Sequence, residues 1–219
     1  MPKDLHIREI DDKIHSQLGN TADDLGVSVN SIVKDAIDKW FEQRLQIPKK
    51  HHLVLYADDD SMIALLRSMD RLTKEANLFR TFCGPTDYSS VKLLKKIDWF
   101  DGTVHPYNSK LANFGRYTAQ IIDKISKGSK KKPVCWFDFI IEDISKSSLK
   151  EAIRLEEMYN KNRLDGMTFC TYRTSTLMDA KINDMIELFS YHDEVFVLKE
   201  DEVYKLHITK ESPHKLLLN

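Results

Sequence analysis

Tyr172-Arg173-Thr174-Ser175 brings one cation and three hydroxyls together where an apolar run gives way to a helical pattern. Such a junction suits an anion, held by the guanidinium, the hydroxyls and the N–H groups of a helix start. Simple capping by Thr174 or Ser175 accounts for the same residues. Gly84-Pro85-Thr86 and Tyr107-Asn108-Ser109 stand at junctions of the same kind. Asp138, inside the apolar run Val134–Ile141, is the carboxylate expected to be most buried, suited to a structural hydrogen bond or a ligand contact. Asp58-Asp59-Asp60 follows another apolar run and could gather Mg²⁺. The strand that would have to end in a further carboxylate, Val104–Tyr107, ends in Asn108 instead. N-capping by Asp59 or Asp60 explains the acidic run. Lys127, Lys130, Lys131 and Lys132, with Gly128 and Ser129, form a basic loop: a DNA contact or a solvated turn.

The motifs of the common catalytic classes are missing. No GxxxxGK[ST] or GxGxxG occurs, and the whole chain has seven glycines. There is no GxSxG turn. The eight histidines show neither HExxH nor paired Cys/His spacing, so no metal, no cofactor and no catalysis are expected. Cys83, Cys135 and Cys170 form no CxxC pair and each sits in an apolar run, which reads as reduced core thiols. Net charge is −1, so the molecule as a whole offers no electrostatic case for nucleic acid. No apolar run approaches the ~20 residues that span a bilayer, and the start does not read as a signal peptide. A cytoplasmic protein without membrane contact is expected.

These residues need elements to hold them. From residue 53 strand-like runs alternate with helix-length amphipathic segments, the pattern of a mostly parallel sheet covered by helices. Strands are expected at Leu53–Ala57, Phe79–Cys83, Val104–Tyr107, Val134–Phe139, Met167–Tyr172 and Glu194–Leu198, with Val203–His207 as an antiparallel edge. Helices are expected near 60–75, 87–97, 109–126, 147–163 and 175–190. Right-handed crossovers would line up the strand C-termini along one edge, where open α/β sheets take ligands. The expected fold class is therefore α/β: a three-layer domain at 52–209, after a linker at 46–51 and before a polar tail at 210–219.

The first forty-five residues follow another plan. Leu5-His6-Ile7-Arg8 alternates like a half-buried strand. Asp11 or Asp12 can cap a helix carrying Ile14, Leu18, Ala22 and Leu25, and Gly26 closes it. Ser28 opens a second helix with Ile32, Val33, Ala36, Ile37 and Trp40 on its apolar side. A strand and two helices of this size cannot bury enough surface alone, whereas two copies with paired strands can. This stretch, above all Val27-Ser28-Val29-Asn30-Ser31-Ile32-Val33, resembles the ribbon-helix-helix DNA-binding family of the Arc and MetJ type. The resemblance implies a homodimer whose ribbon enters the major groove of double-stranded DNA, with Asp4, His6 and Arg8 facing the bases. It also implies that Ser28, Val29, Asn30 and Ser31 hold a DNA phosphate. Residues 1–50 carry eight Lys or Arg against nine Asp or Glu, so phosphate-driven affinity should be modest and salt-sensitive. A dimerisation module that never meets DNA fits the same pattern.

A second resemblance covers residues 50 to 207. His52-Leu53-Val54-Leu55-Tyr56, Phe169-Cys170-Thr171-Tyr172 and Leu188-Phe189-Ser190-Tyr191-His192 look like the methanogen/methylotroph DcmR sensory (MEDS) domain. That family is related to KaiC- and RecA-like ATPases but lacks their nucleotide loop, and it implies a sensor of small molecules. On this resemblance His52, Tyr56, Cys170, Tyr172 and His192 would bind the effector. Arg173 and Asp138 join them as the cation and buried carboxylate at strand ends. Arg173 replaces a position often acidic in that family, which implies a more anionic ligand. The expectation is a dimeric transcription regulator with a sensory domain, not an enzyme. An antitoxin-like repressor that binds a protein partner, or an atypical nucleotide-binding enzyme, are the alternatives.

Overall fold

The computed structural model describes residues 10–45, 49–108 and 113–206, with the backbone alone for 38–45. The expected ribbon with Asp4, His6 and Arg8 lies outside the described residues, as do 46–48 of the linker, Ser109, His207 of the expected edge strand and the tail at 210–219. The chain divides into two compact units, Met1–Ile47 and Pro48–Asn219.

In the first unit, helix α1 (Asp12–Leu25) starts where the Asp11 carboxylate accepts the Lys13 N–H at 2.8 Å. It stops at Gly26, whose left-handed φ of 65° favours glycine, and the Val27 N–H returns to the Ala22 carbonyl at 3.0 Å. Helix α2 (Val29–Leu45) opens on Ser28, whose hydroxyl accepts the Ser31 N–H at 3.1 Å. Leu18 of α1 and Ile32, Val33, Ala36 and Ile37 of α2 line an open apolar groove. Ala22 is the one buried side chain among residues 10–37.

The second unit is a three-layer α/β fold. Its strands are β1 (Lys50–Tyr56), β2 (Phe79–Cys83), β3 (Phe100–Asp101), β4 (Val134–Asp138), β5 (Gly166–Arg173), β6 (Glu194–Lys199) and β7 (Glu202–Leu206). They form one sheet in the order β3-β2-β4-β5-β1-β6-β7, parallel throughout except for the β6–β7 hairpin. The helices are α3 (Asp59–Glu75), α4 (Ser89–Lys96), α5 (Phe114–Ser129), α6 (Ile140–Ser147), α7 (Leu149–Lys161), α8 (Thr174–Met178) and α9 (Ile182–Ser190). The central strands are apolar on both faces because both are covered. On one face Leu53, Leu55, Trp136, Cys170 and Tyr172 pack with Ile121, Ile144, Leu155 and Leu188 from the helices. On the other, Phe137 stacks on Phe169 with ring centres 4.7 Å apart. Fully buried side chains such as Trp136, Phe137 and Tyr172 contribute about 1.5–3 kcal/mol apiece.

Several boundaries differ from the sequence expectations. The third strand is Phe100–Asp101, not Val104–Tyr107. It pairs with Thr81 and Phe82, and then the Gly102 N–H caps the Phe82 carbonyl at 2.8 Å and the chain leaves the sheet. A Cβ at Gly102 would lie 2.8 Å from Ile125, so this exit runs hard against α5. Helix α5 begins at Phe114, capped by the Asn113 side chain on the Arg116 N–H at 2.9 Å, rather than at 109. The expected 175–190 helix is two helices, α8 and α9. Helix α6 takes up Ile140 and Ile141, which the sequence joins to the β4 run. The expected linker at 46–51 gives up Lys50 and His51 to β1.

Candidate functional site

Beyond the C-terminal end of β2, between the segments that follow β2 and β3, lies a cleft of about 650 Å³. Gly84, Thr86, His105 and Tyr107 line it, so two of the junctions singled out by sequence do meet here. Gly84 must be glycine: an added Cβ would sit 2.7 Å from Val91 and 2.8 Å from Phe139. Its N–H donates to the Thr103 hydroxyl at 3.1 Å. Across the cleft, Asp143 of α6 accepts both the Tyr88 hydroxyl (3.1 Å) and the Tyr107 hydroxyl (2.7 Å). Burial, then the Asp143 hydrogen bond and charge, push the Tyr107 phenol far up, so it stays a donor at all ordinary pH.

A second recess of about 200 Å³ lies at the ends of β1 and β5, lined by Tyr56, Asp59, Tyr88, Glu142, Lys146 and Arg173 among others. Arg173 lies over the Tyr56 ring with its guanidinium carbon 4.4 Å from the centroid. It donates to the Ala57 carbonyl at 3.1 Å and pairs with Asp59. Tyr56 donates to Glu142 Oε2 at 2.5 Å, while Lys146 Nζ and Arg173 Nε stand 3.4 and 3.6 Å from Glu142 Oε1. Burial raises the Glu142 carboxyl above its usual value, against the pull of Tyr56 and the two cations. Both cations are thus already matched by carboxylates, and an anionic ligand would have to displace Asp59 from Arg173. Thr174 and Ser175 do not cap α8: Arg173 occupies the N-cap position, and its side chain takes no N–H of the helix. Nor do Asp59 and Asp60 cap α3, because Asp58 does so, accepting the Ser61 N–H at 2.8 Å. Along the basic loop, Lys127 pairs with Asp123 and Lys132 donates to Asn77 at 3.1 Å.

Asp138 ends β4 but serves the backbone. Its Oδ1 accepts the Ile140 N–H at 2.8 Å, the Ile141 N–H at 3.2 Å and the Cys83 thiol at 3.1 Å. Phe139 holds the N-cap position of α6, and Asp138, one residue before it, supplies the oxygen to the first N–H groups; burial lifts its carboxyl from 3.8 to about 6.

Cys170, Tyr172 and His192 are brought together, but one layer inside the molecule and away from the cleft. Residues alternate across a strand, so His51, Leu53 and Leu55 of β1 face α7, whereas His52 faces the other way, between Phe169 and Phe196. The side chain beside Cys170 is therefore His51, with Nε2 3.2 Å from Cys170 Sγ and 3.0 Å from Glu156 Oε2. His192 Nε2 stands 3.6 Å from Glu156 Oε1, and Tyr172 donates to that oxygen at 2.8 Å. These five residues are at most 9 % exposed. Burial, then His192, push the His51 imidazole below its ordinary value. Burial alone would raise the Glu156 carboxyl, but the His192 and His51 imidazoles beside it hold it well below the usual carboxylate range. Sequence reasoning missed His51 and Glu156. Both left a signal: His51 keeps step with Leu53 and Leu55, and Glu156 interrupts the apolar stripe Ala152, Leu155, Tyr159 of α7.

No helix among the described residues is long and apolar enough to cross a membrane. No protein-family model matches the chain, and no curated protein matches it. Among solved structures it is similar to a Pyrococcus horikoshii OT3 protein, PH0250, with a TM-score of 0.51 at 13% identity over 77% of this chain and 90% of that one. It is also similar to the KaiC-like protein PH0186 of the same organism, with a TM-score of 0.43 at 14% identity over 72% of this chain and 76% of that one. The second likeness is too slight to support a conclusion. The first shows a common fold alone: an α/β architecture around a mostly parallel sheet.

Proposed function

We propose that this chain is a homodimeric transcription regulator. Residues 1–45 would be a ribbon-helix-helix reader of double-stranded DNA, and the α/β unit a RecA/KaiC-like, MEDS-type sensor of a small effector, without catalysis. The observation that carries the reading is the scarcity of buried side chains among the described residues of the first unit. Its two helices are capped and sharply turned at Gly26, yet Ala22 is the one buried side chain among residues 10–37. Ile14 is 52 % exposed and the groove of Leu18, Ile32, Val33, Ala36 and Ile37 lies open. A second copy of the same segment would cover that surface. Ser28 takes the Ser31 N–H with its own side chain, which leaves the N–H groups of Val29 and Asn30 for a phosphate oxygen.

The cleft at the strand ends is large enough for a small effector, and the closed space around Cys170 is not. An effector alters DNA affinity only if it binds two dimer arrangements unequally. Arg8→Ala and His6→Ala are each expected to weaken binding to a selected operator by about 1–3 kcal/mol, with the dimer intact. Fluorescence anisotropy with the operator duplex reads this, and an unchanged affinity in the double variant would sink the assignment. A protein partner for the α/β unit is the second reading. It is favoured by the exposure of Met178 (83 %), Ile182 (66 %) and Ile186 (57 %) on α8 and α9.

A further inference from the structure

We propose that His51, Glu156, Cys170 and His192 form a closed, four-ligand zinc site inside the α/β unit, independent of any role in DNA binding. The four donor atoms lie within 4.8 Å of one another and come from four different parts of the fold: β1, α7, β5 and the turn after α9. A tetrahedral zinc ion with bonds of ~2.0–2.3 Å sets its ligands about 3.3–3.6 Å apart. Three of the six separations are 3.0 Å (His51 Nε2 to Glu156 Oε2), 3.2 Å (His51 Nε2 to Cys170 Sγ) and 3.6 Å (His192 Nε2 to the other carboxylate oxygen, Glu156 Oε1), and none of the six need exceed 4.8 Å.

The surroundings prepare the donors. His51 Nδ1 donates to the Tyr191 carbonyl at 3.0 Å and His192 Nδ1 to the Leu188 carbonyl at 2.8 Å. In the neutral form, each ring so held turns the lone pair of Nε2 toward the centre, the tautomer that binds metal. Tyr172 holds the Glu156 carboxylate in place at 2.8 Å. His192 Nε2, with its side chain fully buried, has no hydrogen-bond partner among the described residues, while His51 Nε2 lies 3.0 Å from a Glu156 carboxylate oxygen that a cation could bridge to it. With zinc, the charges close: Zn²⁺ against one thiolate and one carboxylate, with two neutral imidazoles. On binding, the Cys170 thiol proton leaves to solvent and its sulfur takes the metal. All four positions are filled by protein, which marks a structural rather than a catalytic site, and the mixed sulfur, nitrogen and oxygen donors suit zinc.

The test uses the full chain without a histidine tag. Elemental analysis by plasma mass spectrometry should find about one zinc per chain. Protein stripped in denaturant and refolded with Co²⁺ should show a sulfur-to-cobalt charge-transfer band and intense tetrahedral d–d bands, both lost in Cys170→Ser. Tyr172→Phe should fold and bind zinc about 10–100-fold more weakly. Removal of zinc should lower the Tm by on the order of 5–15 °C. Wild-type protein with no stoichiometric metal and no cobalt–thiolate band would overturn the proposal. So would a band that persists in Cys170→Ser, since Cys83 or Cys135 would then be the ligand. If Cys170→Ser does not fold, the wild-type metal content and cobalt spectrum decide alone.

Discussion

Gly166→Ala is expected to cost about 4 kcal/mol or more and to leave the α/β unit largely unfolded. Gly166 begins β5 at a φ of 121°, a conformation closed to side-chain-bearing residues. The added Cβ would lie 2.1 Å from the Val134 carbonyl oxygen and 2.5 Å from the Val134 nitrogen. Both are backbone atoms of the paired strand β4, so no rotamer change relieves the clash. To escape, β5 would have to part from β4, and β5 carries Cys170, Tyr172 and Arg173. Urea denaturation followed by circular dichroism measures the loss, and a cost under about 1 kcal/mol would show that β5 starts differently.

Asp138→Asn is expected to stabilise the protein at neutral pH by up to about 3 kcal/mol, and progressively less toward acid. The Asp138 carboxyl rises from 3.8 to about 6 on folding because it is buried. A carboxyl raised in this way adds stability that is complete below its unfolded value and lost as pH climbs through the folded one. The wild type therefore bears the cost of a buried charge above pH 6. Asparagine is neutral throughout and keeps an oxygen for the Ile140 and Ile141 N–H groups. The advantage of the variant should shrink by about 2 kcal/mol between about pH 7.5 and about pH 4.5. Equal unfolding free energies for the two proteins at both pH values would show that Asp138 is not titrating in this range.

What the sequence revealed follows from how local each signal was. The two N-terminal helices are written in their caps: Asp11, Gly26 and Ser28 each act on backbone groups within a few residues. β1, β2, β4, β5 and β6 are readable because a strand covered on both faces is a bare apolar run. β3 was hidden because Phe100–Asp101 is two residues long and is fixed by pairing with Thr81 and Phe82, while Val104–Tyr107 lies outside the sheet, where the Tyr117 hydroxyl takes the Val104 carbonyl. α6 was hidden because its apolar start continues β4, its N-cap is Phe139, and its first N–H groups are taken by a buried aspartate of the strand.

The candidate sites divide in the same way. The strand-end cleft could be anticipated, since a parallel sheet places its strand ends together. That Asp59 already occupies Arg173 could not, because the pair joins residues 114 positions apart. The choice between His51 and His52 turns on strand parity alone, where one residue moves a side chain to the opposite face of the sheet. Glu156 and His192 join His51 and Cys170 only once α7 and α9 have packed on the sheet, so no spacing rule in the chain announces them.

The most direct measurement is selection of duplexes by the full-length protein from a random pool of double-stranded DNA, followed by sequencing. The account expects enrichment of a two-fold symmetric sequence, bound by two chains, with affinity falling as salt rises. A recovered pool indistinguishable from the input, or a protein that sediments as a monomer at micromolar concentration and holds no duplex, would contradict it.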